Sequence, residues 1–147
     1  HWQKKRESRL SLCNKADTLN IFGSDLSGDA VELSRQNLKA AGFEKYIHLK
    51  QVNFIESSPP SAPGILIANL PYGYRMSLDS FTEMSYPKLG NVLKQKFAGW
   101  DAFLLTADYT NLTRNIRLSA SKRTPLFNGS IECRLLEYKI LAGSNRK

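Results

Sequence analysis

Asn69-Leu70-Pro71-Tyr72 follows a short, wholly apolar run from Ile65 to Ala68, and its residue types suit one kind of chemistry. An exocyclic amine on a nucleobase is a poor nucleophile because its lone pair is delocalised into the ring. Two acceptors can hold the two amine hydrogens and aim the lone pair at an electrophilic methyl group. The side-chain oxygen of Asn69 would be the first acceptor and the carbonyl of Leu70 the second. Pro71 fixes its own φ and biases Leu70 toward an extended backbone, which holds that carbonyl in place. Tyr72 offers a flat face to a base swung out of its stack. The bland alternative for the same tetrapeptide is a Pro-Tyr turn with a packed aromatic.

Two further positions carry suitable groups. Asp25 ends the segment Asn20 to Asp25, and a carboxylate just past a strand can accept both hydroxyls of a ribose or, equally, cap the helix that follows. Asn53, in Gln51-Val52-Asn53-Phe54, stands where it could bond an adenine edge with Phe54 packing nearby; an Asn after a strand is also an ordinary turn residue. His1 and His48 are the only histidines and neither lies in the motif, so no strong base is in view. His48, within a strand, reads as structural or surface. Catalysis would then rest on positioning and on acceptors that stabilise charge developing on the amine. Cys13 and Cys133 lie far apart and match no metal-ligand or redox spacing. No metal site is expected, no disulfide framework, and a reducing cytosol fits best.

The elements that must position these groups follow from patterning. Asn20 to Asp25 reads as a strand running into a turn. Ala30, Leu33, Leu38 and Ala41 recur at helical spacing, with Ser27 or Asp29 to cap the start and Gly42 where a left-handed C-cap is wanted. Ile47 to Val52 alternates as a second strand, and the proline- and serine-rich stretch 57–63 is a loop. Ile65 to Ala68 suits a strand buried on both faces of a parallel sheet. Tyr86, Leu89, Leu93 and Phe97 mark an amphipathic helix with Pro87 in its first turn and Gly99 at its end. Ala102 to Thr106 is another buried strand and Asn111 to Leu118 a short helix. Asn128-Gly129 predicts a type I′ hairpin. Beyond it, Ile131, Cys133 and Leu135 share one face while Leu136, Tyr138 and Ile140 share the other, which calls for a bulge near Leu135 or burial on both faces. Alternating strands and helices closed by a hairpin predict an α/β, doubly wound fold whose ligands sit at the carboxyl ends of the strands.

Composition bounds the partners. With 147 residues, 41% of them apolar and 23% charged, the chain has the makeup of a soluble globular domain, and its apolar runs fall far short of a membrane span. A net charge of +8 favours a polyanionic partner without identifying one. The chain opens on His1 and a basic stretch, Lys4, Lys5, Arg6 and Arg9. Residues 1–19 read as a basic helical segment, more simply a solvated face than an RNA contact, and the whole as a piece of something longer.

At the level of motifs the chain resembles a known family. Asn69-Leu70-Pro71-Tyr72 resembles motif IV of the amino methyltransferases that use S-adenosylmethionine. The longer run Ile67 to Arg75 is similar to the signature of the THUMP-associated, RlmL-like RNA guanine-N2 methyltransferases. Gly23-Ser24-Asp25, Ala40-Ala41-Gly42, Gly99-Trp100 and the segment Leu126 to Cys133 agree with that family, so the resemblance covers nearly all of residues 20–147. It implies a Rossmann-like class I methyltransferase fold with a C-terminal antiparallel hairpin, and S-adenosylmethionine as cofactor. Asp25 would bind its ribose, Asn53 and Phe54 would flank its adenine, and Asn69 would border it. Asn69, Leu70, Pro71 and Tyr72 would hold the acceptor base, most simply guanine N2 of large-subunit ribosomal RNA in the cytoplasm. Leu70 replaces the family's usual first proline. The glycine-rich first strand and loop, and the THUMP region, have no counterpart here, which implies a partial domain and an upstream segment of the same protein. Adenine N6 of DNA or RNA is the alternative acceptor, and a noncatalytic RNA-binding module with a degenerate site the alternative class.

Overall fold

The computed structural model describes residues 2–11, 20–60, 63–70 and 78–141. In chain order the elements are α1 (Trp2–Ser11), β1 (Ile21–Asp25), α2 (Gly28–Ala41), β2 (Ile47–Gln51), β3 (Ile65–Asn69), α3 (Leu78–Lys96), β4 (Asp101–Thr106), α4 (Tyr109–Asn115), β5 (Lys122–Asn128) and β6 (Ile131–Lys139). They fall into two compact units, His1–Asn53 and Phe54–Lys147.

In the first unit β1 and β2 pair in parallel, from Ile21 opposite Ile47 to Asp25 opposite Gln51. The connection is α2, and both of its predicted caps are present. Ser27 accepts a hydrogen bond from the Ala30 amide at 3.3 Å, and Gly42 turns left-handed at φ 77° so that its amide reaches back to the last turn. Val31 is the buried apolar residue here, at 3% exposure among the described residues. Phe22 lies against His48, with ring centroids 5.3 Å apart, which gives this histidine a packing role.

The second unit is a four-stranded sheet of order β3-β4-β6-β5. β3 and β4 are parallel, and β6 runs antiparallel to both β4 and β5. Ala102, Leu104 and Thr106 of β4 share a face with Leu136 and Tyr138 of β6, and this face packs with Tyr86, Leu93, Leu112 and Ile116 of α3, α4 and the turn after it to form the core. Gly90 permits the helices to meet, because a Cβ there would fall inside the van der Waals radius of the Ile116 carbonyl oxygen.

Four local expectations are corrected by this packing. The helix α3 begins at Leu78, so Pro87 lies in its interior rather than its first turn, and it ends at Lys96. A proline there forfeits one helical hydrogen bond. Its neighbour Tyr86 is buried and bonded through its hydroxyl to Asp108 at 3.2 Å, so tertiary anchoring overrides the local cost. The next helix spans Tyr109–Asn115, earlier than predicted, and the chain leaves it through Arg117 at φ 56°. The hairpin loop is Gly129-Ser130, since Asn128 pairs with Ile131. Gly129 has φ 62° and neither neighbour is positive, which is the sign pattern of a type II′ turn rather than type I′. Finally, β3 is not buried on both faces: Ile65 and Ile67 are exposed on one of them, because β3 is an edge of this sheet. For β6 the expectation of a bulge or burial on both faces is met by the second alternative, since both ladders run unbroken through Leu135. The change of face reflects burial on both sides, of Cys133 on one and of Leu136 and Tyr138 on the other. No helix among the described residues is long and apolar enough to cross a membrane.

Candidate functional site

Each unit carries one group of candidate residues at the carboxyl end of a parallel strand. In the first, Asp25 is the last residue of β1 and is exposed. Its Oδ1 accepts a hydrogen bond from the Ser27 amide at 2.8 Å, which fixes the carboxylate at the mouth of the turn into α2. The turn is held from beneath as well. The Val52 amide donates to the Asp25 carbonyl at 3.0 Å, and Gln51 Nε2 donates to the Leu26 carbonyl at 3.1 Å. Gly28 leaves room for that glutamine, whose Oε1 would stand 3.0 Å from a Cβ at this position. Asn53 follows β2 by two residues, so Asp25 and Asn53 leave two adjacent, parallel strands at the same end.

In the second unit Asn69 is the last residue of β3, exposed, and paired with Leu105 of β4. Leu70 is buried, and its amide donates to the Leu105 carbonyl at 2.9 Å. The ladder is thus carried one residue past Asn69. A proline in place of Leu70 could not make that bond, so a leucine here adds a fixed point where the chain leaves the sheet. Pro71 and Tyr72 lie outside the described residues. Phe54 stacks on Phe97, with centroids 5.6 Å apart, and Phe97 meets Trp100 edge to face. Lys96 Nζ donates to the Ser57 carbonyl at 2.9 Å and to the Ile55 carbonyl at 3.3 Å, so the turn after Phe54 is tied to the end of α3.

One polar group escaped the sequence reading. Beyond β4, Asp108 Oδ2 accepts from the Tyr86 hydroxyl at 3.2 Å and from Asn111 Nδ2 at 3.3 Å, while the Asp108 amide donates to the buried Thr106 Oγ1 at 3.0 Å. Asn115 Nδ2 extends the chain of bonds to Asn111 Oδ1 at 2.6 Å. Burial and the neighbouring carboxylate push the Tyr86 hydroxyl up to about 12. The signal was available, since Asp108 follows the carboxyl end of a strand just as Asp25 ends one. Among the described residues no cluster of His, Cys, Asp and Glu is suited to a metal ion.

Comparison with known proteins fits this geometry. The chain is 36% identical over 134 residues to slr0064 of Synechocystis sp., a protein assigned as an RNA methyltransferase; the match covers 90% of this chain and 35% of that protein. It is 34% identical to the ribosomal RNA large subunit methyltransferase K/L of Shewanella sp. strain W3-18-1, over 99% of this chain and 21% of that one. The chain therefore spans about a third or less of the length of these relatives. Among solved structures, SMU.472, described as a methyltransferase and complexed with S-adenosylhomocysteine, superposes with a TM-score of 0.82 at 28% identity, covering 99% of this chain and 37% of that one. A predicted N6-adenine-specific DNA methylase from Listeria monocytogenes gives 0.77 at 26% identity, with coverage of 93% and 34%. The fold is the Rossmann-like one of S-adenosylmethionine-dependent methyltransferases. Residues 1–137 match the family model, and the chain belongs to the RMKL-like methyltransferase domain family.

Proposed function

We propose that this chain is part of an enzyme that transfers a methyl group from S-adenosylmethionine to N2 of a guanine in large-subunit ribosomal RNA. The observation that carries the reading is Asn69, exposed at the end of β3 beside a Leu70 whose backbone is bonded to β4. S-adenosylmethionine, when bound, would supply an electrophilic methyl group for direct displacement: the amine nitrogen would bond to the methyl carbon as the sulfonium bond breaks, S-adenosylhomocysteine would leave, and the amine would release one proton to solvent. Asn69 and the Leu70 carbonyl hold the amine hydrogens, Pro71 fixes that carbonyl, and Tyr72 supports the base. Asp25 takes the cofactor ribose, Asn53 its adenine edge with Phe54 beside it, and Asn69 borders the cofactor. Residues 1–19 form a basic leading segment and residues 20–147 the C-terminal portion of the methyltransferase domain, in a cytoplasmic protein.

An upstream part of the same protein, with a glycine-rich strand and loop and a THUMP region, completes the enzyme in this reading. Two features support it. β3 is an edge strand whose outward Ile67 is 74% exposed, and β1 with β2 is a pair of strands where three or more are usual for independent stability. Without the loop that cradles the methionine part, the chain alone is expected to bind S-adenosylmethionine weakly or not at all; micromolar affinity by titration calorimetry would sink this part of the proposal.

Asn69→Ala tests the mechanism. In the intact enzyme it should lower methyl transfer by about 10²- to 10³-fold with little change in cofactor affinity. Near-normal turnover on saturating RNA would remove Asn69 from the mechanism. Nucleoside mass spectrometry should find N2-methylguanosine in the product. The likeness to the Listeria methylase favours adenine N6 as a second reading, and N6-methyladenine in the digest would select it.

A further inference from the structure

The two ladders of β6 end at different places. Pairing with β4 stops at Arg134 opposite Thr106, whereas pairing with β5 continues for three more residues to Ile131 opposite Asn128. A two-stranded ribbon therefore projects past the carboxyl end of β4, the same end at which β3 delivers Asn69. The ribbon exposes large apolar groups, Phe127 at 73%, with Leu126 and Ile131 also exposed. Its outer strand β5 is an edge of the sheet, and it carries Lys122 and Arg123, both exposed, at the start and Phe127 near the tip. Between residues 109 and 139 there are six Lys and Arg against two Asp and Glu. One of those acids, Glu132, is already paired with Arg134, whose guanidinium lies over the Tyr109 ring at 4.7 Å.

An exposed phenylalanine on a basic edge strand is poorly suited to another protein strand. Two cations would repel a second copy of the same edge, and Pro125 cannot donate to a further ladder. A single-stranded nucleic acid offers what both ends of β5 lack: phosphates for Lys122 and Arg123, and a base face for Phe127. β5 rises about 3.4 Å per residue, so its seven residues span a few nucleotides. We propose that β5 is a track for single-stranded RNA leading to the acceptor site, with Phe127 stacking on an unpaired base a few nucleotides from the one that is methylated. This rests on the reading of the chain as part of an RNA methyltransferase.

The test is fluorescence anisotropy of the intact enzyme with a labelled single-stranded oligoribonucleotide, across a salt series. Phe127→Ala should weaken binding about 5- to 100-fold, and Phe127→Tyr should bind as the parent does. Lys122→Ala with Arg123→Ala should flatten the plot of log affinity against log salt by roughly one unit or slightly more. All three side chains are exposed, so thermal melting should not change and misfolding is detectable separately. Unchanged RNA affinity and salt slope in these variants would overturn the track, as would a parent enzyme that binds no RNA. So would a self-association by sedimentation that Phe127→Ala abolishes, since β5 would then face a second copy. If the variants bind as expected but the intact enzyme methylates no RNA, the RNA contact along β5 stands and the methyltransferase reading falls. If the intact enzyme methylates RNA with the same kinetics in all three variants, the reading stands and the track falls.

Discussion

The two units use the same device, a carboxyl strand end carrying a polar residue, but they support it unequally. Behind Asn69 and Leu70 lies a continuous core of Tyr86, Leu93, Leu104, Leu112, Ile116 and Leu136. Behind Asp25 there is Val31 alone among the described buried residues, while Phe22, Leu26 and Leu33 are exposed. The geometry around Asp25 is instead held by local bonds, from Ser27, Val52 and Gln51. Such bonds each contribute only about 1 kcal/mol net, and exposed ones less, whereas burial of one large apolar side chain contributes about 1.5–3 kcal/mol. The strand end at Asn69 is thus set by packing and the one at Asp25 by turn chemistry.

This contrast can be broken by substitution. Leu104→Ala should cost about 2–5 kcal/mol in urea unfolding, because it opens a cavity in a closed core, while Leu33→Ala on α2 should stay within about 0.5 kcal/mol. Equal costs would mean that the first unit is packed as tightly as the second. Two glycines make a finer comparison. Gly90→Ala drives a methyl into the backbone of Ile116, which cannot yield without moving the end of α4, and should cost about 2–3 kcal/mol. Gly23→Ala meets only Leu49 Cδ2, the far end of a flexible side chain, at 2.7 Å, and should cost about 1 kcal/mol. Reversal of that order in thermal melting would show that β1 is the more rigid of the two.

The smallest effects concern the two tyrosines buried in the second unit. Burial raises the hydroxyls of Tyr86 and Tyr138 to about 12 each, with the charge of Asp108 adding to the first. In the unfolded chain a tyrosine ionises near pH 10, so between pH 10 and 12 the unfolded state loses its proton first. The second unit should therefore keep its stability up to about pH 10 and lose it progressively as pH approaches 12. Tyr138→Phe should make that decline shallower. At neutral pH the same substitution should be neutral or stabilising by less than about 1 kcal/mol, because the Tyr138 hydroxyl is buried with no hydrogen-bond partner among the described residues. A clear loss of stability on removing it would reveal a bonding role for this hydroxyl.

What was legible in the sequence was local. The order of strands and helices, the Ser27 and Gly42 caps, the presence of a hairpin near Gly129 and the buried character of β4 all depend on residues within a few positions of one another. Hydrophobic period, φ preference and capping chemistry act at that range. The motif Asn69-Leu70-Pro71-Tyr72, whose role is a proposal, is local in the same sense, since its chemistry would be contained in four consecutive residues. The features that sequence reasoning missed or misplaced each depend on a distant partner. Pro87 sits inside a helix because Tyr86 is anchored by Asp108, 22 residues on. β3 exposes Ile65 and Ile67 because it lies at the edge of its sheet, and Gly90 is required by the Ile116 backbone rather than by its own helix. Phe54 follows Asn53 directly in the chain, yet its ring packs on Phe97. Local preferences amount to about 1 kcal/mol or less per residue, and a closed core outweighs them wherever the two disagree.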